Sequence, residues 1–340
     1  MKQPFSNKSR RPVVIVLLVL VGILLLTAGG TYAYLRSLTD LVEPGEVTGN
    51  PSLQESDLIE PAETVDETDS TEAMGEAKNE QGEVEVIDLR NDPDVYNILL
   101  IGSDRRGTEL NGRSDSMIIF SINKRTKKIH LVSLMRALYV NIPGREFGML
   151  NASFSYGGSK LLRQTIEDNL RVRIDDYIMI DFSGFQAAID KVGGIDISLT
   201  QKEVDFIKKY YGTELQAGEN HLDGRLALAY SRIRYIDSDY ARTGRQRKVI
   251  ELLLRKAMNS SIGEIDGLAR EILPLVKTNL SGNELISLAI SVIDYRNYEI
   301  KQLMLPVEGS FKTIYVRKME MVQFDFNKNI TALHSFIYDD

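Results

Sequence analysis

The stretch Ser159–Leu199, SKLLRQTIEDNLRVRIDDYIMIDFSGFQAAIDKVGGIDISL, decides the fold class. Leu161, Leu162, Ile166 and Leu170 recur at helical spacing, so Ser159 to Leu170 is expected to form a helix with those side chains inward. Tyr177 to Asp181 is a short apolar run that reads as a buried strand. A second helix is expected from Gly184 to Val192, capped by Ser183 and stopped by Gly193-Gly194, with a strand from Ile195 to Leu199 after it. Upstream, Val95 to Gly102, Ser116 to Asn123 and Ile129 to Leu134 read as three strands. The last two are joined by the short turn Asn123–Lys128 and are therefore antiparallel. Strands alternating with helices, plus a hairpin, indicate α/β architecture with a mixed central β-sheet sandwiched between helices in three layers, α/β/α.

The chain has 340 residues, of which 43% are hydrophobic and 26% charged, and no cysteine. A disulfide framework, a thiolate nucleophile and a cysteine-ligated zinc site are therefore excluded. The three histidines, His130, His221 and His334, lie far apart and show no metal-ligand spacing. Chemistry must fall to carboxylates and arginines.

Net charge is −7, and it is unevenly spread. Residues 1–11 form a basic tail, and Pro12 to Leu35 runs for twenty-four residues without a charge. That length spans a bilayer core, and the bases before it place the amino terminus in the cytoplasm and the rest of the chain outside. A cleaved signal peptide is the alternative, but the apolar run is longer than such segments require. Residues 36–94 follow as an acidic, disordered linker, with eighteen acidic residues between Asp40 and Asp94 against Lys78 and Arg90. As a flexible coil it would reach roughly 40 Å. The domain proper is expected at 95–260, with 261–340 packed on it as a carboxy-terminal extension.

Two constellations carry chemistry. Ala229–Leu254, AYSRIRYIDSDYARTGRQRKVIELLL, crowds Arg232, Arg234, Arg242, Arg245 and Arg247 together, with only Asp237 and Asp239 in answer. From Asp239 it reads as a helix, with Arg242, Arg245 and Gln246 on one face and Val249, Ile250, Leu253 and Leu254 on the buried side. Planar guanidinium groups match phosphate oxygens bidentately, so pyrophosphate is the natural complement. A solvated basic surface is the plain alternative. The second constellation is the loop between the first two strands, where Asp104 and Asp115 flank Arg105, Arg106 and Arg113, with Arg136 ending the third strand. Two carboxylates at strand ends can hold Mg²⁺, or Mn²⁺, with phosphate oxygens completing its shell. Either feature alone would pass as surface ion pairing; their convergence points to phosphoryl chemistry.

Six motifs in order, YNILLIGSDRR, RSDSMIIFSIN, SLMRALYV, LNASFSYGG, DDYIMIDFSGFQAAIDKVGGIDI and AYSRIRYIDSDYARTGRQRKV, resemble the LytR-CpsA-Psr family across about residues 95–260. The resemblance implies a membrane-anchored transferase. Its donor is a glycopolymer, such as wall teichoic acid or capsule, on undecaprenyl pyrophosphate; its acceptor is the C6 hydroxyl of N-acetylmuramic acid in peptidoglycan, joined by a phosphodiester. It further implies Asp104 and Asp115 as metal-associated carboxylates and Arg106, Arg113, Arg136, Arg232, Arg234, Arg242, Arg245 and Gln246 as pyrophosphate contacts. Asp104, Asp115, Arg136 and Arg245 are the residues expected to be essential for catalysis. Loss of Asp115 or Arg245 is expected to abolish transfer while leaving the fold intact. The family usually has Arg-Asp where this chain has Arg136-Ala137. An exported polyprenyl-phosphate-binding or scaffolding module without turnover, or a lipid-pyrophosphate hydrolase, therefore stands as the alternative.

Overall fold

The computed structural model describes residues 42, 44–53, 88–104, 112–234, 236–281, 284, 288, 291 and 294–339. The apolar segment 12–35, most of the acidic stretch, and Arg105 and Arg106 lie outside the described residues. Among those described, no helix is long and apolar enough to cross a membrane.

Strand β1 (Val95–Ser103) pairs antiparallel with β2 (Ser114–Asn123), which pairs antiparallel with β3 (Lys128–Leu134). A small hairpin, β4 (Tyr139–Asn141) and β5 (Phe147–Met149), leads into helix α1 (Leu150–Leu170). The chain then runs through β6 (Asp176–Asp181), α2 (Phe182–Lys191), β7 (Ile195–Leu199), α3 (Gln201–Tyr211), β8 (Gly218–Leu222) and α4 (Gly224–Ser231). Next come α5 (Asp239–Asn259), α6 (Ile262–Ile272), β9 (Val276–Thr278), β10 (Glu299–Leu305), the hairpin β11 (Phe311–Val316) and β12 (Met319–Phe324), and α7 (Phe326–His334). The central sheet has the order β10-β3-β2-β1-β6-β9. It is mixed, because β1 with β6 and β3 with β10 are parallel and the other pairs antiparallel.

The expected strands fall within a residue or two of those observed; three details differ. Helix α2 begins at Phe182, and its cap is Asp181, which accepts from the Gly184 amide at 2.7 Å, not Ser183. Helix α1 starts at Leu150, nine residues earlier than the periodicity suggested, and is broken at Gly158 (φ 67°, ψ −153°). Strand β7 does not join the central sheet; it pairs with β8 over a separate core that includes Ile197, Ile207, Leu222 and Tyr230. The carboxy-terminal residues do more than pack on the outside: β10 is an edge strand of the central sheet, and Leu333 and Ile337 enter the main core.

The two-residue period of the strands divides the sheet's side chains between two environments. Leu99, Met117, Ile119, Tyr177 and Val132 pack against Leu162 and Ile166 of α1 in the main core. Their neighbours Leu100, Phe120, Ile178 and Ile180 point to the other face, where they are only half-buried.

The expected tether is partly something else. Residues 44–53 form a strap on the domain, with Val47 and Leu53 in the main core. The Gly45 amide donates to Thr278 O at 2.9 Å, the Tyr177 hydroxyl donates to Gly45 O, and the Val47 amide donates to Ser159 Oγ at 3.0 Å. Glu46 pairs with Arg163, and the Asn50 amide donates to Ser155 O at 2.8 Å. Composition marked this segment as polar linker, yet its apolar residues and glycines fit a groove over α1. At Gly158 a Cβ would stand 1.7 Å from Val47 O, and the positive φ disfavours any side chain. Gly158→Ala is therefore expected to expel the strap and lower stability by about 1–3 kcal/mol. Thermal denaturation with limited proteolysis around residue 50 would measure both effects; unchanged cleavage and midpoint would contradict the packing described.

Candidate active site

The half-buried face of the sheet forms one wall of a cavity of about 630 Å³, within the range of small-molecule sites. The opposite wall comes from Phe182 and Phe185 of α2, Val249, Ile250, Leu253 and Leu254 of α5, and Leu268 and Ile272 of α6. The apolar stripe of α5 is thus turned largely toward the cavity; only Val249 is fully buried. Asp115 and Ile122 of β2 both border the cavity, and they stand seven positions apart along the strand, about 24 Å at ~3.4 Å per residue. The end near Ile122, Met258 and Tyr295 is apolar. Polar side chains gather at the other end: Asp115, Arg232, Arg234, Arg242 and Gln246.

That mouth lies at the carboxyl ends of β1, β3 and β6, the usual ligand position in an open α/β sheet. Asp104 follows β1, and its carboxylate accepts from the Arg113 amide at 2.7 Å, which closes the base of the loop. Asp104 is solvent-reached, but partial desolvation first, and the Asp115 charge after it, raise its pKa against the effect of the Arg113 amide. Asp115 accepts from Arg136 Nη1 at 3.2 Å, so the ends of β2 and β3 are joined by charge. Arg242 is 4% exposed and donates to Asp239 Oδ2 at 2.9 Å, while its buried Nε has no partner. Burial lowers the Arg242 pKa, partly offset by Asp239 and reinforced by Arg136. Arg232 is exposed, with its guanidinium 4.5 Å above the Phe182 ring. Arg113 and Gln246 are half-buried.

Arg245 is not among the cavity-lining residues. Its Nε donates to Glu203 Oε1 at 2.7 Å, its Nη1 to Ile233 O at 3.2 Å, and Nη2 pairs with Asp237. Burial alone would lower its pKa; bonds to Asp237 and Glu203 outweigh that and raise it. The helical spacing grouped Arg245 with Arg242 and Gln246, but a 3.6-residue turn rotates it toward α3. Glu203, whose other oxygen caps its own helix through Thr200, showed in the sequence only as a Thr-x-x-Glu capping box. No local signal linked it to an arginine forty-two residues on.

The sequence model of the LytR_cpsA_psr family matches residues 63–332. The chain belongs to this family. The polyisoprenyl-teichoic acid–peptidoglycan teichoic acid transferase TagU of Enterococcus faecalis is 35% identical over 256 residues, covering 71% of this chain and 82% of TagU. TagV of Bacillus subtilis, which carries the same description, is 32% identical over 71% of this chain and 63% of its own length. Among solved structures, B. subtilis TagT superposes with a TM-score of 0.60 at 25% identity, covering 73% of this chain and 94% of TagT. Placed in the LytR_cpsA_psr fold, the arginine-rich mouth and the apolar cavity are two ends of one site.

Arg245 is 6% exposed and Glu203 9% on their side chains. Removing one partner of such a pair strands the other, at a cost of about 3–5 kcal/mol. Glu203→Ala and Arg245→Ala should therefore both lower the denaturation midpoint, in contrast to the sequence-based expectation for Arg245. Arg245→Ala showing wild-type stability in urea titrations would place the residue back among purely functional contacts.

Proposed function

We infer that the chain is a phosphotransferase that moves a glycopolymer of the teichoic-acid type from a polyisoprenyl pyrophosphate carrier onto peptidoglycan. The observation that carries this is the continuity of an arginine-lined mouth with an apolar cavity, together running along about 24 Å of β2. A polyprenyl tail suits the cavity, and its pyrophosphate then meets Arg232, Arg234, Arg242 and Gln246. TagU and TagV are named for this reaction, and TagT structures carry octaprenyl pyrophosphate or a lipid-linked wall teichoic acid.

In the reaction, the acceptor hydroxyl oxygen attacks the phosphorus bearing the glycan. The bond from that phosphorus to the bridging oxygen breaks, and polyprenyl phosphate leaves. The hydroxyl proton passes to a carboxylate at the mouth, for which Asp104 and Asp115 are the candidates. Arginines fixed beforehand around the phosphates stabilise the charge that gathers in the transition state. Arg242 is well suited: it is buried, and its Nε is left without a partner.

Two neighbouring carboxylates fit Mg²⁺, which is commonly held by one or two carboxylates plus substrate phosphate. Among the described residues no group of three or more His, Asp or Glu gathers, so a metal held by protein alone is not the reading. Asp104 and Asp115 would hold the ion, which would neutralise phosphate charge. Ala137 removes a third carboxylate from this neighbourhood, but Arg136 still has Asp115 as its partner. The uncharged segment 12–35 would anchor the domain on the outer face of the membrane.

The test is transfer from a lipid pyrophosphate-linked oligosaccharide to peptidoglycan fragments, read by mass spectrometry. Asp115→Ala is expected to reduce the rate about 10²–10³-fold, and a chelator should do the same. Arg232→Ala, at an exposed position, should cost roughly 10–100-fold without lowering the thermal midpoint. Bound lipid with no transfer by the wild-type chain would instead identify a binding module.

A further inference from the structure

Two of the large apolar side chains most open to solvent, Phe311 (37% exposed) and Tyr315 (52%), lie on β11. They alternate with Thr313, also exposed, so the three share one face of the strand. The Phe311 ring stacks nearly parallel on Tyr240, with centroids 6.5 Å apart and planes 12° apart. Tyr240 stands two residues before Arg242, and its hydroxyl donates to Pro306 O at 3.3 Å. On the inner strand, the Val322 amide donates to Ala137 O at 2.8 Å, beside Arg136. The hairpin is thus bonded to the mouth, and buried Met321 and Phe324 root it in the domain.

Its tip is unusual. Arg317 and Lys318 both have positive φ (51° and 67°) in a two-residue turn, where Asn-Gly would be relaxed. Arg317 is held by Glu146 at 2.8 Å, and Lys312, Arg317 and Lys318 are exposed. Basic side chains therefore occupy a turn that backbone preference alone would not give them.

Position identifies the occupant. The apolar end of the cavity, at Met258 and Tyr295, is where a long polyprenyl tail would leave toward lipid; the hairpin, bonded at Ala137 and stacked on Tyr240, stands toward the opposite, charged end where the phosphates would lie. Whatever attacks the phosphorus must arrive there. Exposed aromatic rings offer flat faces to the apolar faces of pyranose rings, and the adjoining Arg317–Lys318 tip complements the carboxylates of peptidoglycan.

We propose that the Phe311–Thr313–Tyr315 face, with the Arg317–Lys318 tip, is the acceptor platform on which a peptidoglycan strand lies during transfer. This rests on the transferase reading. The full chain is tested for co-sedimentation with peptidoglycan sacculi, for transfer as a function of acceptor concentration, and for binding of a polyprenyl pyrophosphate. Tyr315→Ala and Lys318→Glu should each raise the half-saturating acceptor concentration roughly threefold to tenfold. The saturating rate and lipid binding should be unchanged, and Tyr315→Trp should restore acceptor binding. The double change Arg317→Asn, Lys318→Gly should raise the thermal midpoint while weakening sacculus binding. Unchanged sacculus binding in Tyr315→Ala and Lys318→Glu overturns the proposal, as does loss of binding to anionic phospholipid vesicles with sacculus binding intact. Absence of transfer by the wild-type chain would instead count against the transferase reading, and sacculus binding is measured independently of turnover.

Discussion

A single guanidinium, Arg245, holds together parts of the chain that local propensity would leave separate. It meets Glu203 on α3, Ile233 O and Asp237 in the segment before α5. That segment carries Arg232 and Arg234, so the geometry of the anion-binding end depends on a cation that never lines the cavity. Buried ion pairs rarely stabilise a fold relative to apolar substitutes, but they fix which geometry it adopts. Here both carboxylates and the carbonyl must be in place before the arginine is satisfied, and this fixes the placement of Ile233 and Asp237.

The sheet supplies the complementary half of the site at no structural expense beyond its own pleat. Successive side chains of β1, β2 and β6 alternate between a sealed core and a cavity wall. Both sets are largely aliphatic or aromatic, because one packs against α1 and the other faces the space between the sheet and α5. Such a wall excludes water and strengthens the electrostatics at its charged end, where Arg136, Asp115 and Arg242 sit within each other's fields.

Much of this was legible in the sequence. Strand and helix periods located β1, β2, β3, β6 and α5, and the crowding of arginines marked the mouth. What escaped were properties set by distant parts of the chain. Arg245 and Arg242 look equivalent along the helix, and only the placement of α3 separates them. The stripe Val249–Leu254 reads as core whether it faces protein or a cavity, since periodicity measures polarity and not occupancy. The opening half of α1, LNASFSYG, has too little apolar periodicity to be recognised. Its burial comes from the core and the strap around it, and from Gly158, which allows Val47 to approach.

The strap also sets a length. Gly45 is tied to Thr278, and Arg90 is tied to Arg171, whose carbonyl accepts from the Arg90 amide at 2.8 Å. Since Gly45 and Arg90 are both bonded to the domain, the residues between them would add nothing to the reach of an anchor at 12–35. With the proposed anchor ending at Leu35, only about nine residues reach from the membrane to Gly45, at most about 30 Å of extended chain. An anchor at 12–35 would leash the domain to within roughly its own diameter of the lipid surface. On the proposed anchoring, donor lipids would be supplied by lateral diffusion in the membrane, and the acceptor would be confined to the innermost layer of the wall.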